Sequence, residues 1–454
     1  MLFNSYAFLF CFFPLALAIY CIADRRPALR IATLIVLSFV FYGYWDVRFV
    51  PLLIGSILIN WFAAQYFIRT RQPAVIVAAI GADLAVLGFF KYWSFLAGSI
   101  TSLSGVSLPF FDLALPLGIS FFTFHHIMYL VDLHRGKAPN IPLDRYALYI
   151  CFFPQVLSGP LVRWSEVVDQ FGRSCFAAGW QRRWATGAVL MIFGRAQKTL
   201  ISDQLAERVT STFDRAAHGP LTDGSAWAAV LGFSFQIFFD FSAYSDIAIG
   251  LALIFGIQLP LNFNAPYRAT SIREFWRRWH MTLSRFLRDY LYIPLGGNRH
   301  GLTIQIAALL VTMTLGGLWH GAGWTFVIWG LLHGLALAVV LLWERTMPPL
   351  PAIVGWALTF GFVTFTWIFF RAKTFTAASN LIAGLATPPP NAGGFRTIGI
   401  AALCAIALPA SHVVVARLTA KPRIGLAWLV AILGIIIVAQ LGRERNYEFV
   451  YFQF

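Results

Sequence analysis

The chain has 454 residues, of which 59% are apolar and only 12% charged, and 34 Lys and Arg against 19 Asp and Glu give a net charge of +15. A soluble fold carries about 25% charged residues, so a string of soluble domains is excluded and a polytopic membrane protein is predicted. The positive excess suits loops facing anionic lipid, and with no aqueous domain to carry a basic face, no nucleic-acid partner is expected.

Crossing a bilayer as helix takes about 20 apolar residues. Candidate stretches fall at 2–23, 31–46, 49–68, 74–90, 115–131, 184–200, 226–256, 302–318, 323–343, 353–371, 397–416 and 425–441. Allowing for merged and re-entrant segments, about ten to twelve spans are expected. Residues 2–23 could pass for a signal peptide, but Arg25, Arg26 and Arg30 follow the apolar run and no Lys or Arg precedes it. A signal peptide has the reverse order. The run reads as a retained first span with its N-terminus outside, and Arg69 and Arg71 after the third stretch keep the positive-inside alternation. The cysteines (Cys11, Cys21, Cys151, Cys175, Cys404) are scattered with no CxxC, so neither a disulfide framework nor a metal site is predicted.

Ionisable residues at membrane depth are costly and are functional candidates by default. Asp83 is a lone acid with no assignable role. His125-His126 sit in a near-continuous apolar run and read as satisfied core histidines. Asp240 and Asp246 lie inside an apolar run, where they could bind a cation, relay protons or pair with a base; Arg195 and Lys198 are candidate partners. His134, His218 and His300 read as solvated loop residues, and His412 as packing.

Residues 260–300 hold seven arginines against two acids, Glu274 and Asp289. Ser271-Ile272-Arg273-Glu274 is a capping box that opens a helix, and Pro294 with Gly296-Gly297 closes it. Trp276, Trp279, His280, Leu283, Phe286, Leu287, Tyr290 and Leu291 recur on one face. A basic amphipathic helix of this kind is predicted to lie in the cytoplasmic interface, with His280 pointing into the protein. Its arginines either anchor to anionic lipid or bind a phosphate-bearing ligand. Further on, Gly316-Gly317-Leu318-Trp319-His320-Gly321-Ala322-Gly323-Trp324 has four glycines, which are predicted to break or thin the helix and set His320 on a tunnel. His333 lies in a regular apolar helix and reads as packing. Histidine titrates near neutrality and can take a proton from a hydroxyl, so His320 and His280 are the candidate chemical residues. No GxSxG, HExxH, P-loop or GxGxxG motif occurs, and no internal repeat points to an inverted-repeat transporter.

The stretch from Ser271 to Ser284, containing Trp276-Arg277-Arg278-Trp279-His280, continues through Phe286-Leu287-Arg288-Asp289-Tyr290 to Pro294-Leu295-Gly296-Gly297-Asn298-Arg299. It resembles the signature of the membrane-bound O-acyltransferase (MBOAT) family, in its bacterial alginate O-acetyltransferase (AlgI-type) branch. Pro116-Leu117-Gly118, Phe153-Pro154-Gln155, Asp240-Phe241-Ser242, Asn262-Phe263-Asn264 and the tail Phe449–Phe454 resemble it too, so the likeness covers the whole chain, 1–454, as one membrane-embedded domain. The resemblance implies an all-α helical bundle around a central tunnel, with interfacial helices. It implies His320 as catalytic base and His280 as the second active-site residue. It implies donor binding by the basic segment, for which Arg277, Arg278, Arg288, Asn298 and Arg299 are the candidates. No bound cofactor is expected, and acetyl-CoA is the expected donor. The acetyl group would cross the inner membrane to a periplasmic hydrolase-like acetyltransferase partner and on to a polysaccharide such as alginate. Open beside this are the same chemistry with peptidoglycan, cellulose or D-alanyl transfer, a polysaccharide transporter or flippase, and an assembly subunit without chemistry.

Overall fold

The computed structural model describes residues 3, 5–111, 113–389, 395–420, 430–436 and 449–450. Among these residues all regular structure is helical. The elements that build the site are α1 (Phe13–Ala23), α2 (Pro27–Gly43), α3 (Val50–Thr70), α4 (Pro73–Leu87), α5 (Trp93–Ser104), α6 (Ile119–His134), α7 (Trp180–Gln197), α8 (Asp203–His218), α9 (Ser225–Ile254), α10 (Ile272–Arg278), α11 (Met281–Leu287), α12 (Leu302–His320), α13 (Trp324–Thr346) and α14 (Ala352–Arg371).

The 30-residue α9 is apolar all round and is the central post. Its most apolar stretch is 94% buried, whereas the other membrane-length helices are buried to between 17% and 44%. A helix hydrophobic on every face belongs inside the protein. α7 lies against it through glycines: a Cβ on Gly187 would come within 2.5 Å of Gly250 O, and one on Gly194 within 2.7 Å of Ala243 O. Lipid gives helices no hydrophobic reason to associate, so small residues that allow close approach set such contacts. One aromatic-rich core forms from α1–α4, α6 and the Tyr149–Phe153 corner. A second forms from α8, α9, α10, α13 and α14 around Trp279, Trp329 and Trp367. A small third cluster, Phe124, Phe286 and Trp319 among its members, lies between α6, α11 and α12.

The span expectation changes in detail. Six helices among the described residues are long and apolar enough to cross, and Ala7–Ala23 and Pro27–Gly43 are shorter apolar helices. The stretch 397–416 is a pair of helices bent by 68°. Pro409 stands at that break and cannot continue a helix. The 115–131 stretch becomes helical only at Ile119, after Gly118 at φ 76. Of 425–441, only 430–436 lie within the described residues.

One local reading is corrected and one is located more closely. The interfacial helix is not continuous: it ends at Arg278 and restarts at Met281, with His280 in the left-handed region at φ 40. The loop at Asn262–Asn264 competes for its backbone. Met281 N–H donates to Asn262 O at 2.9 Å, and Asn264 N–H donates to Arg278 O at 2.9 Å. The predicted break falls at Gly321–Gly323, where the backbone turns extended directly after His320, and α12 continues through Gly316-Gly317. Those glycines serve packing: a Cβ on Gly317 would come within 2.3 Å of Phe326 O on α13, and one on Gly330 within 2.3 Å of Met313 O on α12.

Candidate active site

His320 is the last residue of α12 and is 5% exposed. The final carbonyls of a helix have no partner within it. Here a π-helical turn, Gly88–Tyr92, between α4 and α5 supplies donors. Lys91 Nζ donates to Trp319 O at 2.6 Å and to His320 O at 3.4 Å, and Tyr92 OH donates to Leu318 O at 3.0 Å. The helix end is thus held from outside, and the imidazole of His320 is packed edge-on against Trp329 and Phe370, each at 5.2 Å.

His280 is fully buried, as its place on the aromatic face predicts. Its Nδ1 lies 3.0 Å from Asn262 Oδ1, which also accepts from Thr282 Oγ1 at 2.9 Å. Asn262 Nδ2 donates to Ser245 Oγ at 3.2 Å, which orients the amide with its oxygen toward the histidine. A carbonyl oxygen can only accept, so Nδ1 carries the proton and Nε2 keeps its lone pair. Burial holds this imidazole well below the usual histidine range, so a protonated His280 is not the resting form. Trp319 stands by both histidines: its ring centre is 4.9 Å from that of His320 and 6.2 Å from that of His280.

A cavity of about 730 Å³ lies against α10, α11 and the first half of α12. Arg273, Arg277, Arg285, Arg288 and Arg345 stand on it, with Glu344 as its one acid, paired with Arg273. Leu287, Leu309, Met313, Leu337 and Leu341 form apolar wall. Its lining reaches Thr312 and Met313, about two helical turns short of His320. Of the sequence-predicted donor residues, Arg277 and Arg288 reach this cavity. Arg278 instead pairs with Glu274 at 2.7 Å, and Arg299 lines a separate polar cavity with Arg135, Lys137 and Arg163. Asn298 lines neither. Sequence reading missed Arg345 and Lys91, which no local pattern marks, and it noted Asn262 within Asn262-Phe263-Asn264 without giving it a role.

The intramembrane acids turn out to be tied down. Lys198 Nζ meets Asp240 Oδ1 at 2.6 Å and Asp203 Oδ1 at 2.8 Å. Asp246 Oδ2 accepts from Gln197 Nε2 at 2.9 Å. Asp83 accepts from Asn60 at 2.9 Å. His126 and His333 are buried and hydrogen-bonded, His333 accepting from Trp276 Nε1 at 3.2 Å. The C-terminal segment enters the same interior: Val450 N–H donates to Asp240 Oδ2 at 2.7 Å, and the Phe449 ring stacks edge-on to Tyr244 at 5.0 Å under the Lys198 ammonium. Residues 451–454 lie outside the described residues.

The helical membrane bundle thus holds a buried histidine pair and, separately, a basic, partly apolar cavity. Residues 134–379 match the profile of MBOAT, the membrane-bound O-acyltransferase family. The chain is 39% identical over 422 residues to the peptidoglycan O-acetyltransferase of Helicobacter pylori, covering 85% of this chain and 80% of that protein. It is 40% identical over 390 residues to the Pseudomonas aeruginosa protein named probable alginate O-acetylase AlgI, covering 83% and 73%. It is 27% identical over 329 residues to the teichoic acid D-alanyltransferase of Bacillus subtilis, covering 68% and 82%. The chain belongs to the membrane-bound O-acyltransferase family, in its AlgI-type branch, and is a membrane O-acyltransferase.

Proposed function

We propose that this enzyme takes an acetyl group from acetyl-CoA on the cytoplasmic side of the bacterial inner membrane. It passes the group through the membrane to a periplasmic hydrolase-like acetyltransferase, and so to the hydroxyls of an extracytoplasmic polysaccharide. The observation that carries this reading is the placement of His320 at one end of α12, with the arginine-lined cavity at the other. Arginine forks suit the phosphates of a CoA-type donor, and the apolar wall suits its uncharged arm. A hydroxyl is a poor nucleophile until its proton leaves during attack, which is the task assigned to His320. His280, fixed in one tautomer by Asn262, orients the reacting groups beside Trp319.

Sidedness follows from alternation. With the N-terminus periplasmic, successive crossings leave Arg25–Arg30, Arg69–Arg71 and Arg135–Lys137 in the cytoplasm. Arg135 donates to Asp289 O at 3.3 Å, which supports the same side for the basic segment 260–300. The names of two relatives near 40% identity favour alginate or peptidoglycan as the acceptor polymer.

The test is turnover of acetyl-labelled acetyl-CoA by purified protein in nanodiscs, with and without the candidate periplasmic partner. Free CoA and label on the partner are expected from wild type, and neither from His320→Ala. Full transfer by a folded His320→Ala protein would remove His320 as base. No thioester turnover under any condition would favour a transporter.

A further inference from the structure

The polar cavity beside Asp289 has a volume of about 600 Å³. Arg135, Lys137, Arg163 and Arg299 line it against two acids, Asp132 and Asp289. The cations come from three stretches: the turn that ends α6, the loop before Trp164, and the turn after Pro294. Both acids are already spent. Asp132 Oδ2 accepts from Tyr290 OH at 2.8 Å and from Trp164 Nε1 at 3.1 Å. Asp289 accepts from Arg163 and from Arg288 Nε at 2.7 Å. Arg135, Lys137 and Arg299 have no carboxylate partner among the described residues; Arg135 donates to a carbonyl, Asp289 O, at 3.3 Å. The backbone fixes the rim. Asp132 O accepts from Lys137 N–H at 2.8 Å and from Ala138 N–H at 3.1 Å, and Arg299 N–H donates to Gly296 O at 3.1 Å across a turn that Gly296 makes at φ 107. Arg135 and Arg163 both stand by the Tyr290 ring, their Cζ atoms 5.7 and 5.9 Å from its centre. Cations held around one hollow, with no carboxylate left to answer them, repel one another until an anion enters. Unlike the large cavity, this one has a mainly polar wall, which suits a hydrophilic headgroup without a long apolar arm.

We infer that this hollow is a second anion site, distinct from the donor cavity, and that it binds a phosphate group carried by the headgroup of an anionic lipid or by a soluble phosphate compound. Guanidinium and ammonium groups converging from separate segments meet phosphate oxygens from several directions at once, and a phosphate can carry more charge than a carboxylate. Arg135, Lys137 and Arg299 make the direct contacts. Arg163 stays tied to Asp289, and Asp132 positions Tyr290 and the Lys137 turn. Trp164 and Tyr290, each with a polar tip on an apolar ring, suit a place at the level of lipid headgroups. Binding there is independent of the acyl-transfer reading above.

The experiment uses the full chain in phosphatidylcholine nanodiscs, which expose both faces, with inorganic pyrophosphate as the probe at constant ionic strength. The double variant Arg135→Gln/Lys137→Gln is expected to bind pyrophosphate at least about tenfold more weakly than wild type. Lys137→Arg, which keeps the charge, and Arg277→Gln, on the donor cavity, are each expected to stay within about threefold. An unchanged thermal midpoint of the double variant without pyrophosphate excludes misfolding as the cause. Nanodiscs that also contain phosphatidylglycerol separate the two sources, read by mass spectrometry of the released protein. Retention of about one more phosphatidylglycerol by wild type than by the double variant assigns the site to a lipid headgroup. Equal retention, with the pyrophosphate loss still seen, assigns it to a soluble phosphate compound. Equal retention together with equal pyrophosphate binding overturns the inference. So does loss of pyrophosphate binding in Arg277→Gln but not in the double variant, which would place the anion in the donor cavity.

Discussion

Two polar centres lie inside this apolar protein, and they are built on different terms. Around Asp240 the charges answer one another: Lys198 bridges Asp240 and Asp203, and the second oxygen of Asp240 accepts from Val450 N–H. Around His320 the one ammonium, Lys91, is turned to backbone carbonyls, while Ser158 Oγ and Trp319 Nε1 are left unspent. Both centres read alike in sequence, as ionisable residues in apolar runs. A charge in hydrocarbon persists either because it is paired or because it has work to do. The first centre holds helices and the C-terminal segment together. In the second, the ammonium holds the end of α12 through its backbone carbonyls.

The sharpest way to break this contrast is a matched pair of variants read in both activity and stability. His320→Gln, close in size, is expected to cost about 1,000-fold in turnover, the range for losing a general base, with little change in the thermal midpoint. Lys198→Met is expected to do the reverse. It removes the cation that bridges Asp240 and Asp203, at a cost of about 3–5 kcal/mol, read as a lower midpoint in detergent. If Lys198→Met kept its midpoint, the clasp would not be structural.

Much of the fold was legible because membrane spans announce themselves by length and apolarity. The central helix 226–256 was found within two residues at each end, as Ser225–Ile254. What failed were local breaks set by distant residues. His280 stands in a left-handed turn because Asn262 and Asn264, earlier in the chain, capture the backbone around it. The glycines around His320 predicted a break, which falls at Gly321–Gly323, whereas Gly316-Gly317 stay helical because a helical glycine and a kink look identical until the partner helix is known. The reverse held for the capping box. Ser271 Oγ accepts from Glu274 N–H at 3.1 Å as its spacing requires, although Glu274 reaches Thr270 instead of Ser271. Local chemistry was readable, and of the long-range pairings that of Lys198 with Asp240 was too.

A smaller effect sharpens the donor side of the contrast. Arg277 stands on the large cavity with no acid paired to it among the described residues, whereas Arg285 is paired to Glu166 at 2.7 Å. Arg277→Gln is therefore expected to raise KM for acetyl-CoA about tenfold with kcat unchanged, and to weaken the salt dependence of KM. Acetyl-pantetheine, which lacks the phosphates, is expected to show no such change. Equal effects on both donors would move Arg277 from ligand binding to helix support.

The smallest effect concerns Asp289, which joins the two basic cavities. Its carboxylate accepts from Arg288 Nε at 2.7 Å and from Arg163, and it lines the polar cavity while Arg288 lines the large one. Partial burial alone would raise its pKa, but the bonds to Arg288 and Arg163 outweigh that and hold it below the usual carboxylate range. A carboxylate with a depressed pKa contributes stability above its unfolded value, near 4, and loses it as pH falls through the lower folded value. The side chain is 21% exposed on the wall of a polar cavity, and solvent screening there keeps the contribution to about 1 kcal/mol or less. Between pH 7 and pH 3 the wild-type midpoint should therefore fall slightly more than that of Asp289→Asn, and added salt should narrow the gap. A larger fall in the variant would reverse the sign and place the acid-sensitive charge elsewhere.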